Sequence, residues 1–205
     1  MILISKNDEP RSFTTYRLSE NASYANMPSD VKYDLKKSLL EEQGYLCAYC
    51  MSRISLENMK IEHFQPQSLY SELSLCYLNL FAVCKGNEGQ CLEMQTCDTK
   101  KSNEIIRISP LNETHINNIT YSNDGTINST SHHNDLHTIL NLNLKRLKQN
   151  RKKVLDDFKQ KIYNRFKNKH MNKKDTIQRM IENYEHNPTK EVYIGIVISY
   201  LKNRV

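Results

Sequence analysis

The run Cys47-Ala48-Tyr49-Cys50, with further thiols at Cys84, Cys91 and Cys97, limits the fold more than any other part of this chain. Two thiols spaced this way can grip one soft cation from a tight turn. A second pair would close a tetrahedron that contributes folding energy to a short, loop-rich region. The second pair is not unique in the sequence: Cys84, Cys91 and Cys97 compete for two places, and Cys76 is spare. Cys84 and Cys97 flank the ends of apparent elements and are the expected ligands, with Cys91 a loop thiol or a substitute. The alternative, six cysteines acting as small hydrophobes, leaves the Cys-x2-Cys spacing unexplained.

At 205 residues, with 38% hydrophobic residues, five Gly and five Pro, the composition suits one helix-rich globular unit with a helical tail. No apolar run approaches the ~18 residues that a spanning helix needs. The apolar start Met1-Ile2-Leu3-Ile4 gives way at once to Lys6, Asn7, Asp8 and Glu9, unlike a signal peptide. A cytoplasmic protein with reduced, metal-binding thiols is expected. The net charge of +6 hides an asymmetry: residues 144–174 hold thirteen Lys and Arg, among them Lys169, against Asp156 and Asp157. That segment carries +11 and leaves −5 for the rest. Lys145, Arg146, Lys148, Arg151, Lys152 and Lys153 open this stretch, whose field would attract phosphate.

Three regions are expected. Residues 1–44 form an N-terminal arm and helix, the arm (1–27) extended and the helix capped by Ser29 or Asp30, with Val31, Leu35 and Leu39 on its apolar side and Gly44 as its stop. Residues 45–110 carry the motifs on short strands or a knuckle around 60–64 and 78–83. Residues 111–205 hold a hairpin over 119–127 turning at Asp124-Gly125, a long helix over 135–166, and helices over 175–184 and 190–202. The apolar side of the last helix needs a partner surface. His132, His133 and His137 read as a solvent-facing cluster.

Glu62 and His63 bring a second kind of chemistry. Adjacent residues on a strand point to opposite faces, so a Glu oxygen can take Mg2+ or Mn2+ while a neutral imidazole acts as general base on water. Asn79 can hydrogen-bond across a loop to steady the histidine-bearing strand. Asp98, just past Cys97, would open a short helix and turn its carboxylate toward Glu62, so that two acids share one divalent ion.

This pattern resembles the HNH endonucleases of the ββα-metal group, whose pattern runs Cys-x2-Cys, an acidic residue with His, an Asn before a hydrophobic residue, then Cys-x2-Cys-[His/Asn]-x2-Lys. The resemblance implies an α+β protein with a zinc-stapled ββα-metal core and mostly helical flanks. It makes Cys47, Cys50, Cys84 and Cys97 structural zinc ligands, Glu62 and Asp98 ligands of the catalytic ion, His63 the general base, Asn79 the positioning residue and Lys101 the trailing lysine. Cleavage would leave a 5′ phosphate and a 3′ hydroxyl. The blocks 41–50, 62–66 and 97–101, with the Asp-Gly hairpin, are similar to the PtuB-type HNH subunit of Septu and retron anti-phage systems. That likeness implies a toxic effector working with an ABC-type, PtuA-like ATPase and, in retrons, a reverse transcriptase with its RNA–DNA hybrid. Two departures stand out: an insertion from Lys85 to Thr96, and Asp98 in place of the commoner His or Asn, which favours Mg2+. The competing reading is a zinc-stabilised nucleic-acid-binding module or structural subunit without catalysis, for which Glu62, His63 and Asp98 are superfluous.

Overall fold

The computed structural model describes residues 1–167 and 173–205; Lys169 lies outside them. Helix α1 (Arg11–Arg17) occupies part of the expected extended arm. Pro10 precedes it with the φ that a first turn needs, and Phe13 is its one fully buried side chain. One aromatic in seven residues gives too little periodicity to announce a helix. Helix α2 (Ser29–Glu42) buries Val31, Leu35, Leu39 and Leu40, following the four-residue spacing, although Pro28 rather than Ser29 or Asp30 stands at its cap. Gly44 ends it with φ +60°. A Cβ there would lie 2.9 Å from the Lys190 nitrogen, which donates to the Gly44 carbonyl.

Strands β1 (Met59–His63) and β2 (Leu80–Cys84) pair antiparallel, with Met59 opposite Cys84 and His63 opposite Leu80. After the 85–96 loop comes the short helix α3 (Cys97–Lys101). Glu62, His63, Cys84, Cys97, Asp98 and Lys101 all lie on these three elements, and Asn79 immediately precedes β2. The outer edge of β2 is not left bare. Buried Gln43 accepts from Ala82 N at 2.8 Å and donates to Ala82 O at 2.7 Å, and Ala48 N reaches the same carbonyl at 3.0 Å. These bonds draw the Cys47–Cys50 turn, closed by a Leu46–Arg53 bridge, against the sheet.

Downstream, helix α4 (Glu113–Asn117) leads to the hairpin of β3 (Thr120–Tyr121) and β4 (Ile127–Asn128), turning at Asp124-Gly125 as the sequence suggested. The long helix expected over 135–166 is broken. A single wide helical turn, Asp135–Ile139, stops before helix α5 (Lys145–Phe166). Asn141 adopts φ +47° and donates to the Glu93 and Gln95 carbonyls, while Asn143 exchanges bonds with Ile127. These amides outcompete the helical backbone, and the leucine spacing runs on through the break. Helix α6 (Lys173–His186) precedes α7 (Ile194–Lys202), which starts later than expected because Lys190 and Tyr193 pair with the Gly44 and Met51 carbonyls. Helix α7 packs on α5, α6 and β3, so its apolar side is buried in this chain's own core and is not the free face a docking partner would take. No helix among the described residues is long and apolar enough to cross a membrane.

Candidate metal and hydrolytic centre

Cys47, Cys50, Cys84 and Cys97 converge on one point, their sulfurs all within 4.8 Å of one another. Neighbouring sulfurs are 3.7 Å apart for Cys50–Cys84 and Cys84–Cys97, and 3.9 Å for Cys47–Cys97. A tetrahedral ion with metal–sulfur bonds of about 2.3 Å needs sulfurs about 3.8 Å apart, a spacing these three pairs already hold, so the cage suits a metal such as zinc. Hydrogen bonds from the other thiols hold the Cys50 pKa well down, whereas burial first pushes Cys47 up; a soft cation removes the conflict by taking all four as thiolates. Cys91 is exposed in the 85–96 loop and Cys76 is half-buried, both away from the cage. Among the described residues no other His, Cys, Asp or Glu group of three gathers this tightly.

A second cluster lies alongside. The Glu62 and Asp98 carboxyls are near enough for each to shift the other's titration, and each is gripped by its own lysine, Lys101 on Glu62 and Lys60 on Asp98. Buried Tyr49 donates to Glu62 Oε1 at 2.9 Å and buried Lys101 approaches the same oxygen at 2.8 Å. These donors favour the carboxylate, yet burial first, and then Asp98 beside it, push the Glu62 pKa up to about 8. Asp98 goes the other way. Burial raises it, but its bonds to Glu62 and Lys60 and the charges of Lys60 and Lys101 outweigh that, leaving it below the usual carboxylate range. Lys60 Nζ sits 2.7 Å from Asp98 Oδ2.

His63 is buried, and burial lowers its pKa, so the imidazole is neutral at pH 7. Its Nε2 lies 3.0 Å from the Ser74 carbonyl, which can only accept; the ring proton is therefore on Nε2, and Nδ1 keeps the lone pair. Tyr24 presents its ring edge-on to the imidazole at 4.5 Å. Asn79 accepts from Gln65 N at 2.7 Å and donates to Gln65 O and Leu73 O, tying both ends of the 65–73 loop. The amide thus steadies the loop leaving His63 rather than the strand itself. Lys101, with 1% exposure, holds Glu62 and the His63 carbonyl and cannot reach a phosphate directly.

Comparison with known proteins fits this arrangement. The chain is 29% identical over 172 residues, 76% of its length, to the candidate HNH endonuclease of retron Vc95 from Vibrio cholerae, and spans 83% of that protein. It is 39% identical over 80 residues to the candidate HNH endonuclease of retron Ec83 from Escherichia coli, and 36% identical over 91 residues to Septu protein PtuB from Bacillus thuringiensis. The chain is a sequence relative of these HNH proteins. Those last two matches take in 31% and 33% of the relatives' lengths, and no family model matches the chain.

The basic stretch is only partly a binding face. Lys145, Arg146, Lys152 and Lys153 are exposed, Arg146 donating to Asn87 in the 85–96 loop, and Lys148 pairs with Asp124 at 2.7 Å. Arg151 is buried, its guanidinium donating to the Gly125 and Leu142 carbonyls and to Asn143, so it is a strut under the hairpin and not a phosphate ligand. Of the histidine group, His133 is exposed and stacks on His137, which is bonded to Asn128 and Asn143, while His132 packs half-buried against His115. Tyr49, Lys60 and Gln67 escaped the sequence reading. Lys60 had a signal: two residues before Glu62 on a strand, it shares that residue's face.

Proposed function

We propose that the chain is a divalent-cation-dependent HNH endonuclease that hydrolyses phosphodiester bonds in nucleic acid as the toxic effector of an anti-phage defence complex. The carrying observation is the pairing of two carboxyls, Glu62 and Asp98, beside a neutral imidazole whose tautomer is fixed by Ser74. The strand–strand–helix order of β1, β2 and α3 against a four-thiol cage supports a zinc-stapled ββα-metal core. As partners this reading takes a PtuA-like ATPase and a reverse transcriptase with its RNA–DNA hybrid; the likeness to retron and Septu proteins supports membership of a defence complex.

Two hard oxygen donors with a combined charge of up to −2 fit Mg2+ or Mn2+. Such an ion, when bound, neutralises charge on the scissile phosphate and the leaving 3′ oxygen. Glu62 and Asp98 hold it, and Lys101 and Tyr49 fix the Glu62 rotamer from the buried side. His63 accepts the water proton at Nδ1 as the oxygen attacks phosphorus in line with the leaving group. Ser74 keeps Nε2 protonated throughout, and as imidazolium forms, its carbonyl bond strengthens. Asn79 keeps the carbonyl-bearing loop in register with β1.

One observation favours the rival reading, a binder without catalysis: Lys60 and Lys101 already occupy Asp98 and Glu62. Cleavage of single- and double-stranded DNA and RNA with Mg2+, by the protein with its partners, decides between them. His63→Ala should lower the rate by at least ~10²-fold, the usual worth of a general base, with zinc content unchanged. Undiminished cleavage by that variant removes His63 from the mechanism, and no cleavage under any condition favours the binder.

A further inference from the structure

The lone pair that the proposed reaction needs is already taken. Gln67 Nε2 stands 2.8 Å from His63 Nδ1, and with the ring proton committed to Ser74 this contact has one polarity: the carboxamide N–H donates and Nδ1 accepts. No water can give up a proton to Nδ1 while the amide covers it.

The two halves of Gln67 differ in freedom. Its backbone belongs to a fixed turn, since Leu69 N and Tyr70 N both donate to the Pro66 carbonyl and Asn79 clamps Gln65. Its side chain, unlike the histidine beneath it, is exposed. The carboxamide can therefore leave His63 by rotamer change alone, on a timescale far shorter than turnover. A group that approaches the Glu62–Asp98 pair with acceptor oxygens offers the amide N–H a charged acceptor, a stronger bond than the one to imidazole.

We infer that Gln67 is a substrate-operated cap on His63: its amide satisfies Nδ1 in the free protein and moves to a non-bridging oxygen of a bound phosphodiester, uncovering the base beside the scissile group. The inference rests on the His63 assignment and makes Gln67 a positioning residue, coupling base exposure to substrate occupancy. Water activation at an empty site is then suppressed, and the same amide orients the phosphate when it arrives.

Imidazole 15N NMR on the full chain tests this without requiring turnover. Above the ordinary imidazole titration range, wild-type His63 should show a hydrogen-bonded acceptor signal at Nδ1 and a protonated Nε2. Gln67→Ala should move the Nδ1 signal to the position of an uncovered lone pair and leave Nε2 unchanged. A phosphorothioate-linked oligonucleotide, added with Mg2+, should produce the same Nδ1 displacement in wild type. An Nδ1 signal unmoved by Gln67→Ala, or one that stays at the amide-bonded position with the oligonucleotide bound, overturns the cap. In turnover with the defence partners present, Gln67→Ala should raise KM for the nucleic acid about 10-fold through the lost phosphate contact, equivalent to about 1.4 kcal/mol, and Gln67→Asn should not restore it, its amide being one methylene short. Failure of His63→Ala to impair cleavage would instead sink the base assignment and leave the NMR contact standing, so the two failures are separable.

Discussion

Glu62 answers to three groups and to its own burial: Tyr49 and Lys101 donate to it, Asp98 disfavours its charge, and burial disfavours it further. With a pKa near 8 it carries a proton at pH 7, and a divalent ion must displace that proton to bind. Ion binding should therefore release about one proton at pH 7 and tighten as pH rises toward 8. Calorimetry of Mn2+ binding in buffers of different ionisation enthalpy measures the release, and a pH-independent affinity would contradict it. In the ion-free protein the same raised pKa has a sign of its own. The folded state holds the proton more tightly than the unfolded chain, so this group's contribution to stability is full below the unfolded carboxyl range and is lost as pH rises through about 8. Arg151 gives a second residue-scale expectation. Arg151→Met should cost about 3 kcal/mol by orphaning the Gly125 and Leu142 carbonyls, lowering Tm by about 10 °C in thermal unfolding. The acids, the imidazole and Asn79 could be singled out in the sequence by their types and spacing, and the structure sets them on β1 and α3 and immediately before β2. The sequence did not reveal Tyr49, Gln67 or the burial of Arg151, since each depends on which side chain a distant loop or hairpin brings across.

At the scale of elements, β1, β2 and α3 are short, and they are tied to the Cys47–Cys50 turn by four thiols and by Gln43 along the β2 edge. Cys84→Ser should lose stoichiometric zinc and lower Tm by roughly 10 °C or more, several kcal/mol for a chain of this size. Cys91→Ser should change neither, its thiol being exposed in the loop. Metal analysis with thermal unfolding checks both, and zinc retained in Cys84→Ser would show that the cage is not the binding site. Short strands and the Asp-Gly hairpin were readable from apolar runs and turn residues. Helix α1 and the break at Asn141 were not, because one turns on a single buried aromatic and the other on amides whose acceptors lie in the 85–96 loop.

Across the whole molecule, the proposed function assigns attraction to the exposed lysines of α5 and chemistry to the two carboxyls of the candidate centre. Each lysine that contacts phosphate adds about 0.9 to the dependence of log affinity on log salt. Lys153→Ala should thus weaken nucleic-acid binding and reduce that slope by about 1, whereas Arg151→Met should leave the slope unchanged; fluorescence anisotropy titrations over a salt series measure both. Charge asymmetry was plain in the sequence, but only the packing of α5 against the hairpin and α7 separates the cations that face outward from the one that does not.

The account depends most on Glu62 and Asp98 sharing one hard cation. Anomalous diffraction from crystals soaked in Mn2+ tests this whether or not the isolated chain is active. A manganese peak bonded to both carboxylates, with Lys60 displaced from Asp98 and His63 outside the coordination sphere, is the predicted result. A peak elsewhere, or density showing the Lys60–Asp98 and Lys101–Glu62 pairs intact at saturating Mn2+, would contradict it.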